Sequence, residues 1–307
     1  MFLKKHAQDT YIKYILAADG RILLDEYDDR VLRNYVKGLD GEQLFYEMTQ
    51  SLSCLQLWDV SVEMKGSVQF DFLFISDGRI YHFEIKNFSG NYSFMHGNLV
   101  SEHGYVYKDV LSQLMRADYK LKELVRSTRY EVISRVVFIN PSFRVEGWRG
   151  HSNVLFHHQL DGVIDYFKNS EVTREDYELA AYLIKQHRTH NKYQRIKYYP
   201  VTEMKKEMRC PKCRKLSLCH VKNMHYTSCY CGYTEKLDST IFRVIDELEI
   251  LKVGPLKITT LVEWTGLNRK TIERFMQKYC ERQEKYCYSL KNVVKTKEST
   301  TFLPEIT

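Results

Sequence analysis

Residues 69–90 read QFDFLFISDGRIYHFEIKNFSG, two apolar runs on either side of Asp77-Gly78. Asp-Gly between such runs is the strongest short hairpin signal a sequence carries. With Asp77 and Gly78 as the turn, Ser76 faces Arg79; counting back places Asp71 opposite Glu84 and Gln69 opposite Lys86. Cross-strand partners share a face, about 5 Å apart at Cβ. Glu84 and Lys86, two apart, lie on that same face. The register therefore gathers Asp71, Glu84 and Lys86 amid Phe70, Phe72, Phe74, Phe83 and Ile85.

Two carboxylates facing each other repel, and charge in an apolar sheet is costly unless it is paired or bound to metal. A hard divalent cation relieves both problems, because Mg2+ takes carboxylate oxygens. A lysine beside it can hold and activate the attacking water, which completes the groups needed for metal-dependent phosphodiester hydrolysis. The plainer alternative has Lys86 pairing one carboxylate at a sheet edge. The three residues alone do not choose between them.

Their neighbours carry a resemblance. Gly41-Glu42, Phe70-Asp71-Phe72, Glu84-Ile85-Lys86-Asn87 with Gly90, Gln113 in LSQLMRA, and VVFIN at 136–140 occur in the order seen in the NERD (nuclease-related) domain. That domain is a branch of the PD-(D/E)xK restriction-endonuclease-like superfamily, and residues 38–190 resemble it. The resemblance implies a mixed α/β sheet core with flanking helices. It implies a metal site in which Asp71 and Glu84 hold Mg2+ (or Mn2+), Lys86 activates water, and Glu42 and Gln113 support them. Glu42 also has a simpler reading, since an acid in a first helical turn suits the helix dipole. The leader, the clustered cysteines and the C-terminal segment resemble the longer Bacillus-type members of the same family.

Around this core the chain is expected to run as follows. Residues 1–37 form a helical leader, broken at Ala18-Asp19-Gly20. Asp40 caps a helix with Gln43 three residues on, as in a capping box, and Leu44, Phe45, Met48 and Leu52 form its buried stripe. Strands are expected at 55–62, 68–76 and 79–86, with edge strands at Tyr92–Phe94 and Tyr105–Tyr107. Asp109 caps a helix whose apolar side Gln113 borders, with Arg116 and Lys120 continuing near that side. Val132–Ile139, rich in β-branched residues, is expected as a buried strand. A short strand at Asn153–Phe156 and helices at 159–168 and 173–190 close the domain.

A polar, basic linker follows at 191–209. CPKC at 210–213 and Cys229-Tyr230-Cys231-Gly232 then have zinc-ligand arithmetic. The expected Zn2+ ligands are Cys210, Cys213, Cys229 and Cys231, in a zinc ribbon spanning 210–236. The second pair is Cys-x-Cys where similar proteins usually have Cys-x2-Cys, so Cys219, His220 or His225 remains open as the fourth ligand. Residues 237–295 read as a winged helix-turn-helix-like unit with helices at Ser239–Leu251, at Ile258–Trp264 and in RKTIERFMQKY, capped by Asn268. Tyr286–Leu290 could add a wing strand. Arg269, Lys270, Thr271 and Arg274 are expected to point outward to meet nucleic acid. A helical bundle for protein contacts is the alternative. Residues 296–307 read as a frayed tail.

Composition bounds the function. The net charge of +7 is uneven: residues 1–191 sum to −3 and residues 192–307 to +10. A basic C-terminal third beside an acidic body suggests a polyanion-holding module next to a metal-holding one. No apolar run reaches the roughly 18 residues of a membrane helix, and MFLKKHAQDT has no signal-peptide core, so a cytoplasmic protein is expected. Five of the eight cysteines fall within residues 210–231, which argues for metal rather than a disulfide framework. The reading is a Mg2+-dependent nuclease acting on nucleic acid, with DNA the expected polymer. The alternative is a non-catalytic DNA-binding or regulatory protein that keeps the nuclease-like fold. Oligomeric state leaves no mark in the sequence.

Overall fold

The structure, a computed structural model, describes residues 1–291 apart from 97, 108, 109, 149, 189–195, 223 and 285. The chain opens with β1 (Phe2–Lys4), α1 (Thr10–Ala18) and α2 (Glu26–Thr49), followed by β2 (Leu55–Glu63), β3 (Ser67–Ser76), β4 (Arg79–Lys86), β5 (Asn91–Met95), β6 (Asn98–Ser101) and β7 (Val106–Tyr107). Next come α3 (Val110–Leu124), β8 (Glu131–Phe138), β9 (Arg144–Glu146), β10 (Val154–Phe156), α4 (Leu160–Lys168) and α5 (Arg174–Gln186). The remainder holds β11 (Cys219–His220), β12 (Tyr226–Ser228), β13 (Thr234–Lys236), α6 (Leu237–Ile250), α7 (Ile258–Thr265), α8 (Arg269–Tyr279), β14 (Cys280–Glu284) and β15 (Cys287–Leu290).

Two compact units result. The first comprises Met1–Gln8 and Arg33–Lys192; the second comprises Asp9–Leu32 and the chain from 193 onward. The first is built on a mixed six-stranded sheet in the order β1-β2-β3-β4-β8-β10. β2, β3 and β4 form an antiparallel meander, whereas β8 runs parallel to both β4 and β10. Asp77 (φ 52°) and Gly78 (φ 70°) both take positive φ, as a two-residue type I′ hairpin turn requires. Pairing from Ser76↔Arg79 back to Phe72↔Phe83 follows the register expected from that turn.

Alternation along the strands supplies two apolar faces. Leu57, Leu73 and Ile75 pack with Ala117 and Leu121 of α3 and Leu179 and Leu183 of α5. On the other face Phe72, Phe74 and Phe83 meet Phe45 of α2, and Phe74 and Phe83 also meet Phe167 of α4. Helices therefore cover the sheet on both sides, and central β4 is buried from Ile80 to Ile85. A smaller sheet, β7-β6-β5-β9, accompanies a satellite core that includes Tyr92, Leu99, Phe138 and Phe143.

Two expectations are corrected here. Residues 1–37 are not helical throughout, because Phe2–Lys4 pairs in parallel with the free edge of β2. Asp40 caps nothing: α2 runs unbroken from Glu26 to Thr49, carried through by buried Leu32, Leu39 and Phe45. Gly41 lies within that helix for a packing reason. A Cβ there would stand 2.6 Å from Asn87 Cβ and 3.2 Å from Ile139 Cγ2. Asn87, just past β4, donates to Lys37 O of α2 at 3.0 Å and accepts from Asn140 Nδ2 at 3.1 Å. The glycine thus lets the helix approach the end of β4 and delivers Glu42 there. Asp109, expected to cap α3, lies outside the described residues, as do the whole tail at 296–307 and part of the linker.

In the second unit α1, α6, α7 and α8 accompany a three-stranded sheet, β11-β12-β13, and the hairpin β14-β15. Arg21, fully buried, donates to Glu247 Oε2 at 2.7 Å and to Lys205 O at 2.7 Å, and lies over the Trp264 ring. Gly266 (φ 66°) ends α7 in the left-handed conformation. Asn268 caps α8 by accepting from Thr271 N at 2.9 Å, and Ile272, Phe275 and Met276 turn inward. The strand expected at Tyr286–Leu290 is Cys287–Leu290, and its partner Cys280–Glu284 was not expected, since α8 passes into it without a loop.

Candidate metal and nucleic-acid site

The candidate centre lies where the β2-β3-β4 ladder breaks. Pairing of β3 with β4 stops at Phe72↔Phe83, and pairing of β2 with β3 steps from Trp58↔Phe72 to Val60↔Phe70. Asp59, at the skipped position, has φ 63°. Asp71 therefore does not face Glu84 as a ladder pair, as counting from the turn implies. Instead its carboxylate Oδ2 accepts from Ile85 N at 2.8 Å. A local irregularity of this kind within a strand re-aims the side chain there.

Glu84 and Lys86 project on the α3 side of β4, where Gln113 meets them. Lys86 Nζ lies 2.8 Å from Glu84 Oε1 and 3.1 Å from Gln113 Oε1, and Gln113 Nε2 donates to the same Glu84 oxygen at 2.6 Å. Glu84 is buried, whereas Lys86 keeps 18% of its side chain exposed and so reaches solvent. Glu42 accepts from Trp58 Nε1 at 2.7 Å, and this bond, rather than one to Lys86, fixes it.

Electrostatics tie the three acids together. Burial first, then the like charges of Glu84 and Glu42, hold the Asp71 carboxyl well above the usual carboxylate range, against the pull of Ile85 N–H and Lys86. Burial likewise raises Glu42, opposed by Trp58 N–H and His6 and reinforced by Asp59 and Glu84. A cation would relieve this repulsion. The oxygens fit Mg2+ in kind, since Mg2+ is commonly held by one or two carboxylates and completes its shell with water and phosphate. They do not form a ready three-acid cage: among the described residues the one group of three or more potential ligands within 4.8 Å of each other is made of cysteines.

A stability effect follows. An acid whose folded pKa is raised binds more protons folded than unfolded, so stability is lost as pH rises from the unfolded value, about 3.9 for Asp, through the raised one. Asp71→Asn removes that loss. Without added Mg2+ the variant should melt a few degrees above wild type at neutral pH, the size of shift that roughly 1 kcal/mol gives. The gap should close as pH falls toward 4. Melting curves over this pH range check it; a lower Tm for the variant at neutral pH would contradict it.

Two contributors escaped the sequence reading. His82 lies on the Glu84 side of β4, fully buried, with Nδ1 3.2 Å from Ser134 Oγ and Nε2 3.8 Å from Glu84 Oε2. Burial pushes its imidazole down to about 4 despite Glu84, leaving it neutral at physiological pH. The alternation that aligned Glu84 with Lys86 also places His82 there. His6, from the leader, lies 2.9 Å from both Asp59 Oδ2 and Tyr35 Oη, beside the Trp58 ring. Nothing in the local sequence signals that tertiary contact.

In the second unit, Cys210, Cys213, Cys229 and Cys231 bring their Sγ atoms within 4.8 Å of one another. Cys210–Cys231 and Cys213–Cys229 both stand at 3.6 Å. Four sulfurs each about 2.3 Å from a tetrahedral zinc would be separated by nearly the same distance. Gly232 (φ 83°) turns the second pair, with its N–H on Cys229 O at 3.0 Å. Cys219 is exposed and His220 turns to Met224 O, so neither joins the cluster, and His225 is not among its ligands. Burial raises Cys210 to about 12. Cys229 is brought down to about 6 because the Cys231 N–H, the Ser217 hydroxyl and neighbouring thiols outweigh its burial.

Of the outward residues on α8, Arg269, Lys270 and Arg274 are exposed. Thr271 is not: it is half-buried, its hydroxyl 3.0 Å from the capping Asn268 Oδ1. Arg269 is paired with Glu273 at 2.8 Å. Among the described residues no helix is long and apolar enough to cross a membrane.

A family model described as nuclease-related domain matches residues 37–139. Glu42, Asp71, Glu84, Lys86 and Gln113 all fall inside it, and a PD-(D/E)xK-type core is consistent with it. Neither the curated proteins nor the solved structures give a match.

Proposed function

We propose that this protein is a Mg2+-dependent nuclease that hydrolyses phosphodiester bonds of DNA and holds its substrate with the C-terminal unit. The observation that carries the reading is the joint seating of Glu84, Lys86 and Gln113 in one hydrogen-bonded group beside Asp71. Asp71 and Glu84 would hold Mg2+ (or Mn2+), which when bound supplies a Lewis acid for the scissile phosphate. Lys86, tethered by Glu84 and Gln113 yet open to solvent, would donate to the attacking water and fix its line of approach. Gln113 keeps both Glu84 and Lys86 oriented, and Glu42, set by Trp58, adds negative charge that favours cation capture. Incubating purified protein with duplex and single-stranded DNA, with and without Mg2+, tests the reading; no cleavage of either would overturn it.

A second reading, a binding protein that keeps the nuclease-like fold, draws on two observations. Lys86 is already paired with Glu84, and the three acids do not converge as a three-ligand cage. The cleavage assay separates the two.

The four-cysteine cluster fits structural Zn2+, and the segment around it reads as a zinc ribbon. Helices α6 to α8 with the β14-β15 hairpin read as a winged helix-turn-helix, a unit that can present the start of α8 to the DNA groove. Replacing Arg269, Lys270 and Arg274 together with Ala should weaken DNA binding. It should also flatten the dependence of log affinity on log salt by about 0.9 for each phosphate that is no longer neutralised. Fluorescence anisotropy across a salt series reads both. Unchanged affinity and slope would assign the helices to protein contacts.

A further inference from the structure

Among the described residues at the end of β4, the polar groups that build the site have partners with one exception. Asp71 takes the Ile85 N–H, Glu84 Oε1 takes Lys86 and Gln113, and Glu42 takes Trp58. His82 Nε2, by contrast, is buried without a hydrogen-bond partner. Its ring is held by Ser134 on one side and by the Phe70 ring, 5.2 Å away and edge-on, on the other. Buried polar atoms left unmade are few in native proteins, and each asks for a reason.

The atom it addresses supplies one. Glu84 Oε2 stands 3.8 Å from Nε2, a few tenths of an ångström beyond a hydrogen bond. A lone pair on Nε2 facing a carboxylate would be repelled, so the proton belongs on Nε2 and the Ser134 hydroxyl donates to Nδ1. We infer that His82 is a positioning residue for Glu84. Its Nε2–H closes on Oε2 and holds the carboxylate so that the opposite oxygen stays turned toward Lys86 and Gln113. This rests on the reading of Asp71 and Glu84 as cation-holding carboxylates. An outer hydrogen bond of this kind orients a ligand without touching metal or substrate, and losing one typically costs about tenfold or more in metal affinity.

The test is Mn2+ binding by the full-length protein, read from the electron paramagnetic resonance signal of free Mn2+, together with Tm. Glu84→Gln should lose the Mn2+ site. His82→Phe should bind Mn2+ about tenfold more weakly while staying folded, because the ring still packs on Phe70. His82→Leu supplies the same comparison if the phenylalanine does not fit. His82→Gln can place an amide N–H where Nε2 stood and should recover much of the affinity. Full Mn2+ affinity in the apolar variants, with the site lost in Glu84→Gln, overturns the inference and leaves the metal site standing. A merely structural histidine would show that pattern with a lowered Tm. Full affinity in Glu84→Gln overturns the metal reading itself.

Discussion

Lys86→Met should leave a folded protein whose Mg2+-dependent cleavage of DNA has fallen by about a hundredfold or more, the scale of loss when a reacting group is no longer held in line. The methionine keeps the length of the stem that crosses the β4 end and removes only the charge and its donors. Glu84 then loses one partner and keeps Gln113 Nε2 at 2.6 Å, so the fold has no strong reason to fail. Asp71→Ala and Glu84→Ala should abolish cleavage while folding is retained, by removing the carboxylates proposed to hold the cation. Losses from groups acting as a unit do not add, so Asp71→Ala combined with Lys86→Met should be no worse than Asp71→Ala alone. Single-turnover rates on one DNA substrate, for variants purified side by side, decide it. A wild-type rate in folded Lys86→Met or Asp71→Ala would remove these residues from the reaction.

Why the expected grouping of Glu84, Lys86 and Gln113 is found, while the expected pairing of Asp71 with Glu84 is not, is a matter of range. A two-residue turn fixes the register of the pairs next to it, and here it holds through Phe72↔Phe83. Beyond that, the path of β3 depends also on β2, where Asp59 takes a positive φ that no local motif announces. On β4 alternation held, so Glu84 and Lys86 share a face; on β3 it broke at Asp71, for Phe70 packs with Leu73 while Phe72 meets Phe45. Caps were readable where side chain and helix start are neighbours, as at Asn268. At Asp40 the same signal was outvoted by an apolar stripe that continues the helix upstream. Gly41 looked like a helix opening and is instead a close-approach residue, a distinction that rests on Asn87, 46 positions later. Strand β1 was invisible for the same reason: three residues beside the edge of β2 have no period to detect.

Protein purified without chelators should carry one zinc per chain, and stripping it should unfold the segment from Cys210 to Lys236 while the first unit keeps its melting transition. The segment holds three strands of two or three residues, too little apolar surface to repay the ordering of its own backbone. A structural zinc can supply about 10–16 kcal/mol to such a module, far more than those strands can. The sequence left the fourth ligand open and the geometry assigns Cys231, so paired variants discriminate. Cys231→Ser should lose zinc and protection of the β11-β13 amides from hydrogen exchange. Cys219→Ser, at an exposed cysteine outside the cluster, should keep both. Elemental analysis gives the stoichiometry and hydrogen exchange gives the fold. Zinc-free protein with full protection would show that the four thiols pack without a metal. Loss of zinc in Cys219→Ser but not in Cys231→Ser would return the fourth position to the alternative that the Cys-x-Cys spacing first raised.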